Sequence, residues 1–140
     1  MIFYELKIEA GEDAISISAE SSAIFFAEIV LDTENNYAKK KSNAIQARMT
    51  IRGKIEPEIT DSLLKISEWA RDLNDDTTYR KVTLTIKADA AGKILRTYEI
   101  PMMFVIDYFE TYDAPKEDDA TIFELVLAQK ENQLKDFNTY

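Results

Sequence analysis

The sequence predicts a mainly β (α+β) fold: an antiparallel β-barrel or sandwich of about seven or eight strands with one α-helix at about residues 60–73. Three observations predict it. Ile59, Leu63, Ile66, Ala70 and Leu73 recur at steps of three and four, the apolar stripe of a lone amphipathic helix. The residues that follow switch to a period of two, Val82, Leu84 and Ile86 alternating with Lys81, Thr83, Thr85 and Lys87. Many strands in a chain of 140 residues must also hide their edges, and closure into a barrel does this most simply. A chain of this length folds as one domain, residues 1–140, with a self-sufficient core.

Each element has its own signal. Ile2, Tyr4, Leu6 and Ile8 alternate with Phe3, Glu5, Lys7 and Glu9, the pattern of a strand with one buried face. Gly11-Glu12-Asp13 supplies turn chemistry, and Ala14 to Ser18 returns as the second arm of a hairpin. Ser22 to Leu31 is apolar on both phases, which asks for cover on both sides, by the core on one and by a helix or a partner subunit on the other. Residues 32–43 form an extended polar loop. It reads either as a solvated connection or as an arm that docks on a neighbouring subunit through Tyr37, Lys39, Lys40 and Lys41.

Ala44 to Ile55 alternates again, Ile45, Ala47, Met49 and Ile51 inward and Gln46, Arg48, Thr50 and Arg52 outward. In an acidic protein the outward Arg48 and Arg52 are candidates to meet carboxylates across a subunit boundary. Pro57 suits a first helical turn, Thr60 is a second possible N-cap, and Asn74-Asp75-Asp76 closes the helix after Leu73. Tyr79–Lys87 and Ile94–Ile100 make a hairpin around Gly92. Pro101 interrupts the ladder and marks a bend or an edge before a further strand, Met102–Tyr112. An acidic loop, a last strand at Ala120–Lys130 and a loose polar tail at 131–140 complete the chain.

Composition narrows the function. The 26 acidic and 17 basic residues leave a net charge of −9, which opposes nucleic-acid binding through counterion release. The chain has no cysteine and no histidine, so thiolate metal sites, disulfides, the usual general base and every His-containing triad are excluded. No cofactor or metal is expected, and the reading is non-enzymatic. The N-terminus lacks the basic and apolar regions of a secretory signal, and no apolar run approaches membrane-spanning length, so a cytoplasmic protein without membrane insertion is expected.

Four features bear on chemistry. Asp75-Asp76 and Glu117-Asp118-Asp119 lack the alternating spacing that wraps a calcium ion, and read as solvated loops. Trp69, at the edge of the helical stripe, reads as a packing anchor. Ser62 and Lys65 match an S-x-x-K string of high random frequency. Most informative is the surplus of strands apolar on both phases, at Ser22–Leu31, Met102–Tyr112 and Ala120–Lys130. One small barrel interior cannot hold them all, so part of that surface is expected to meet another subunit.

Ser62-Leu-Leu-Lys-Ile-Ser-Glu-Trp-Ala, then Arg80-Lys-Val-Thr-Leu-Thr-Ile-Lys, Ala91-Gly-Lys, Arg96-Thr-Tyr-Glu-Ile and Phe123-Glu-Leu-Val-Leu resemble, in order and spacing, the Hcp (haemolysin-coregulated protein) and phage tail-tube family. The chain is also similar to short proteins of phage-tail-like or contractile-injection loci of Gram-positive bacteria. The loop at 32–43 looks like the extended loop by which such subunits touch their neighbours. Two features depart from the pattern: the N-terminal hairpin is short, and Ala128-Gln-Lys-Glu replaces the usual basic-aromatic ending of the last strand.

The resemblance implies a structural protein whose copies join edge to edge into rings, commonly of six. The rings stack into a hollow tube inside a contractile sheath, with sheath, baseplate or spike proteins as further partners. The alternative from another class is a monomeric or dimeric β-barrel adaptor or chaperone of the same apparatus.

Overall fold

The computed structural model describes residues 2–33, 45–89, 92–112, 121–130 and 138–140. Its elements are β1 (Phe3–Ala10), β2 (Asp13–Ile17), β3 (Ile24–Thr33), β4 (Ile45–Lys54), α1 (Thr60–Ala70), β5 (Arg80–Lys87), β6 (Ile94–Thr111), β7 (Ile122–Gln129) and β8 (Asn138–Thr139). All pairings are antiparallel, in the order β2-β1-β5-β6-β7-β4-β3, with β8 added beside β6. β1 also approaches β3, so the sheet curls back towards its own beginning. The mainly β reading with one helix is the observed architecture.

Cross-strand partners share a face, and the inner face follows the predicted alternation. Ile8, Val82 and Ile100 lie side by side across β1, β5 and β6. Met49 opposes Leu127 and Ile51 opposes Leu125 across β4 and β7. All seven are buried, each contributing roughly 1.5–3 kcal/mol by leaving water. The β1–β2 hairpin turns at Gly11, whose φ of 61° is costly for residues with a Cβ.

The helix begins as the sequence signals. Pro57 opens a 3-10 turn, and the Thr60 hydroxyl donates to the Pro57 carbonyl at 3.0 Å. Leu63, Ile66 and Trp69 point into the core, and α1 packs against β6 and β2. It ends at Ala70, three residues before the expected Leu73, which is 94% exposed. Side-chain acceptors explain the early stop, because the Asp72 carboxylate takes the Asn74 N–H at 2.9 Å and the Thr77 hydroxyl at 2.7 Å. These bonds fold residues 72–77 into a turn that competes with further helix.

Two other boundaries differ from expectation. Pro101 does not separate two strands, since β6 runs unbroken for 18 residues. Its bend lies at Met102, with φ of 58°, where the strand changes partners. Residues 94–103 pair with β5 and 103–111 with β7. Pro101 cannot donate to a ladder, but its carbonyl accepts from the Gln129 amide at 3.1 Å. Of the tail expected to be loose, residues 138–140 are placed on the sheet, and 131–137 lie outside the described residues. Tyr98 pairs with Thr139 and Glu99 with Asn138, and Thr97 and Tyr140 exchange both backbone hydrogen bonds.

Candidate subunit interface

The outer surface of the sheet has two contrasting faces. On β1, β5 and the first half of β6, the outward residues form a ladder of charges that neutralise one another. Lys87 meets Glu5 at 2.8 Å, Lys7 meets Glu9 at 3.2 Å, and Lys81 meets Glu99 at 3.3 Å and Glu9 at 3.8 Å. Pairs of this kind, open to solvent on at least one side, contribute on the order of 1 kcal/mol or less each. Their main consequence is a polar, charge-balanced wall.

The outward face of β3, β4, β7 and the second half of β6 is different. Register sets three rows across it: Phe26-Arg52-Glu124-Phe109, Glu28-Thr50-Val126-Asp107 and Val30-Arg48-Ala128-Phe104. In the first row Arg52 Nε donates to Glu124 Oε1 at 2.5 Å, and its guanidinium lies 4.8 Å from the Phe26 ring centroid. Phe109 is 46% exposed and Phe25, at a bulge in β3, 49% exposed. Phe104 meets Tyr79 edge to face at 5.8 Å, and Lys130 covers the other ring at 4.8 Å. The face is thus aromatic with a few charges, the composition of a protein–protein contact.

The expected site residues divide. Arg48 and Arg52 share this face, as their alternation placed them. Arg52 has an intramolecular partner in Glu124, whereas Arg48 has no ion-pair partner among the described residues. Tyr37, Lys39, Lys40 and Lys41 lie outside the described residues. Sequence reasoning missed the row-mates Phe26, Glu124 and Phe109. The alternation of β7 held the clue, since burying Phe123, Leu125 and Leu127 turns Glu124 outward.

Beyond the core, the far end of β6 carries Tyr108, Glu110 and Tyr112 on one face. Both phenols donate to the Glu110 carboxylate, at 2.6 and 2.9 Å. Burial, and then that bond, pushes the Tyr108 hydroxyl far above its ordinary value, and the bond to Glu110 raises Tyr112. Both stay neutral donors.

A cleft of about 470 Å³ lies between β2 and the end of α1, lined by Asp13, Lys65, Glu68, Asp72 and Arg80 among others. Its polar groups serve the fold. Burial lowers the Arg80 affinity for its proton, offset by Asp72 at 3.7 Å, and the guanidinium lies over Trp69 at 5.2 Å. Trp69 is the anchor its position suggested, buried with its indole N–H on the Thr78 carbonyl at 2.7 Å. The Ser62 hydroxyl donates to the Ser16 carbonyl at 2.8 Å, a strut between α1 and β2 rather than a poised nucleophile. Among the described residues no three carboxylates converge on a metal position, and no helix is long and apolar enough to cross a membrane.

No protein-family model matches the sequence, and a search of curated proteins finds no match. Solved structures share the fold over nearly the whole chain. Hcp1 from Flavobacterium johnsoniae is similar at a TM-score of 0.58 and 9% identity, covering 99% of this chain and 98% of that one. The sheath-tube complex of the extracellular contractile injection system PVC, in its extended state, gives 0.57 and 13%, covering 96% and 87%. The six-fold symmetrised baseplate of the anti-feeding prophage gives 0.54 and 10%, covering 99% and 92%. The chain therefore has the Hcp-like fold that these contractile-injection structures share, as the order of its sequence motifs implied.

Proposed function

We propose that this chain is a non-catalytic structural subunit that assembles with copies of itself into rings, and that the rings stack as the inner tube of a contractile injection system or phage-tail-like particle. One observation carries the reading. In a fold that matches tube and baseplate structures nearly end to end, the terminal strands β2 and β3 of the sheet path each pair on one side only, and β3 borders the aromatic face. Unpaired edges and exposed aromatics are liabilities in an isolated protein, and the β3 edge with the aromatic face beside it is covered when β3 continues a neighbour's sheet. Repetition of such a head-to-tail contact closes a ring, for which six copies is the expectation.

In this reading Arg48 and Arg52 belong to the contact face, and Tyr37 with Lys39, Lys40 and Lys41 dock on the next copy. The acidic stretch that brackets α1 suits those lysines. Residues 56–76 carry Glu56, Glu58, Asp61, Glu68, Asp72, Asp75 and Asp76 against only Lys65 and Arg71. Sheath, baseplate or spike proteins are the further partners, and neither nucleic acid nor membrane is one. Synthesis is cytoplasmic. Negative-stain microscopy of the purified protein, alone and after co-expression with sheath and baseplate proteins of a contractile injection system, tests the reading. Hollow rings or stacked tubes are expected, and uniform single subunits in both samples would overturn it.

A further inference from the structure

We infer that β8 is a placeholder: in the isolated subunit it covers part of the β6 edge, and on assembly it yields that edge to β3 of a second copy. The inference rests on the assembly proposed above and deepens it by naming the two strands that meet.

On the side of β6 away from β5, β7 departs at Met102–Lys130, so among the described residues the first half of β6 has β8 alone there. The cover is thin. β8 spans two residues, and its last firm contact is the Thr97–Tyr140 exchange. Beside that exchange Ile94 is 56% and Leu95 51% exposed. A few hydrogen bonds of about 1 kcal/mol net each hold β8 in place. A longer strand on the same edge would make more of them and bury the apolar pair as well.

The chain carries a strand suited to that role. β3 runs ten residues, pairs among the described residues with β4 alone, and exposes Phe25, Val30 and Leu31. Charge agrees: Glu28 on β3 and Arg96 on β6 are both exposed, and neither has an ion-pair partner among the described residues. Laying β3 of one copy along Ile94–Ile100 of the next sets these charges against each other and apolar side chains against Ile94 and Leu95. The contact is head-to-tail, the kind whose repetition closes a ring when the rotation between copies divides a full turn.

Locking β8 tests this. The chain has no cysteine, so a Tyr98→Cys, Thr139→Cys pair would form its only disulfide. Thr97 and Tyr140 exchange hydrogen bonds, which makes Tyr98 and Thr139 a non-hydrogen-bonded pair, with Cα atoms about 4.5 Å apart and within disulfide range. In sedimentation velocity over a concentration series, the oxidised protein should remain a single subunit where the same protein, reduced, assembles.

A second, charge-swap series uses Glu28→Arg, Arg96→Glu and both together. Each single change should raise the assembly concentration about fivefold or more, and the double should recover most of that loss. Equal assembly of oxidised and reduced protein, or a double variant no better than the singles, overturns the inference while leaving the ring reading intact. A wild-type chain that never assembles overturns both.

Discussion

Gly53 to Ala is the sharpest test of how tightly β3, β4 and β7 are packed. Gly53 lies between Ile24 of β3 and Phe123 of β7. A Cβ there would sit 2.5 and 2.7 Å from Phe123 Cε1 and Cζ, and 2.8 Å from the Ala23 carbonyl oxygen. Carbon atoms in comfortable contact are about 3.5–4.0 Å apart. Neither neighbour is free to move away, because the Ala23 carbonyl accepts from Lys54 N–H at 2.8 Å and Phe123 is fully buried. Overpacking by one carbon costs about 1–3 kcal/mol, and a clash on two sides, one of them backbone, belongs at the upper end.

For a domain of this size, a loss of about 3 kcal/mol lowers the melting temperature by roughly 10 °C. Thermal denaturation followed by circular dichroism reads it. Phe123→Leu alone should cost about 1–1.5 kcal/mol. Because it vacates the ring position, the double variant should lose at least about 1 kcal/mol less than the sum of the singles. A Gly53→Ala protein that melts within about 2 °C of wild type, or a strictly additive double, would refute the packing argument.

Trp69→Phe leaves the Thr78 carbonyl without its donor and a gap under Arg80, and should cost about 2–3 kcal/mol in urea unfolding. Asp72 binds its proton less readily folded than unfolded, because the Thr77 hydroxyl and the Asn74 N–H donate to its carboxylate. The stability it contributes is therefore present above about pH 4 and lost as pH falls through the lower folded value, so Asp72→Asn should flatten that part of the acid limb in pH-dependent melts. Arg52→Ala should change subunit stability by less than about 1 kcal/mol, since its pair with Glu124 is exposed, yet raise the concentration needed for assembly. Deleting Asn35–Ser42 should abolish rings in negative stain while leaving the melt nearly unchanged, whereas equal loss of both would assign the loop to the fold.

Local patterns in the sequence located most of the elements. Alternation at Ile2–Glu9 and Lys81–Lys87, the stripe from Ile59 to Ala70 and the Pro57 start depend on neighbours within a few residues, and the structure follows each. The helix end and the continuity of β6 through Pro101 escape local pattern because non-local or side-chain groups decide them. Asp72 gathers donors from Asn74 and Thr77, and Pro101 stays in a strand because Gln129, 28 residues on, takes its carbonyl.

The two-sided apolar strands have a further cause. Register shifts in β3 after Ile24 and in β6 after Val105 swap which phase faces the core, so simple alternation assigns neither face correctly. Of the candidate contact, Arg48 and Arg52 were readable from β4 alone. Their companions Phe26, Glu124 and Phe109 come from three other strands and required the sheet order. The pairing of Tyr98 with Thr139 was hidden altogether, because two residues carry no periodicity.

The central claim is that this subunit completes its sheet only with copies of itself, and mass measured against concentration tests it most directly. Mass photometry or sedimentation equilibrium of the purified chain should show the 16.1 kDa subunit giving way to one closed species of about six copies, with few intermediates. A chain that stays at 16.1 kDa at every concentration, or that grows through an open series of dimers, trimers and tetramers, would contradict it.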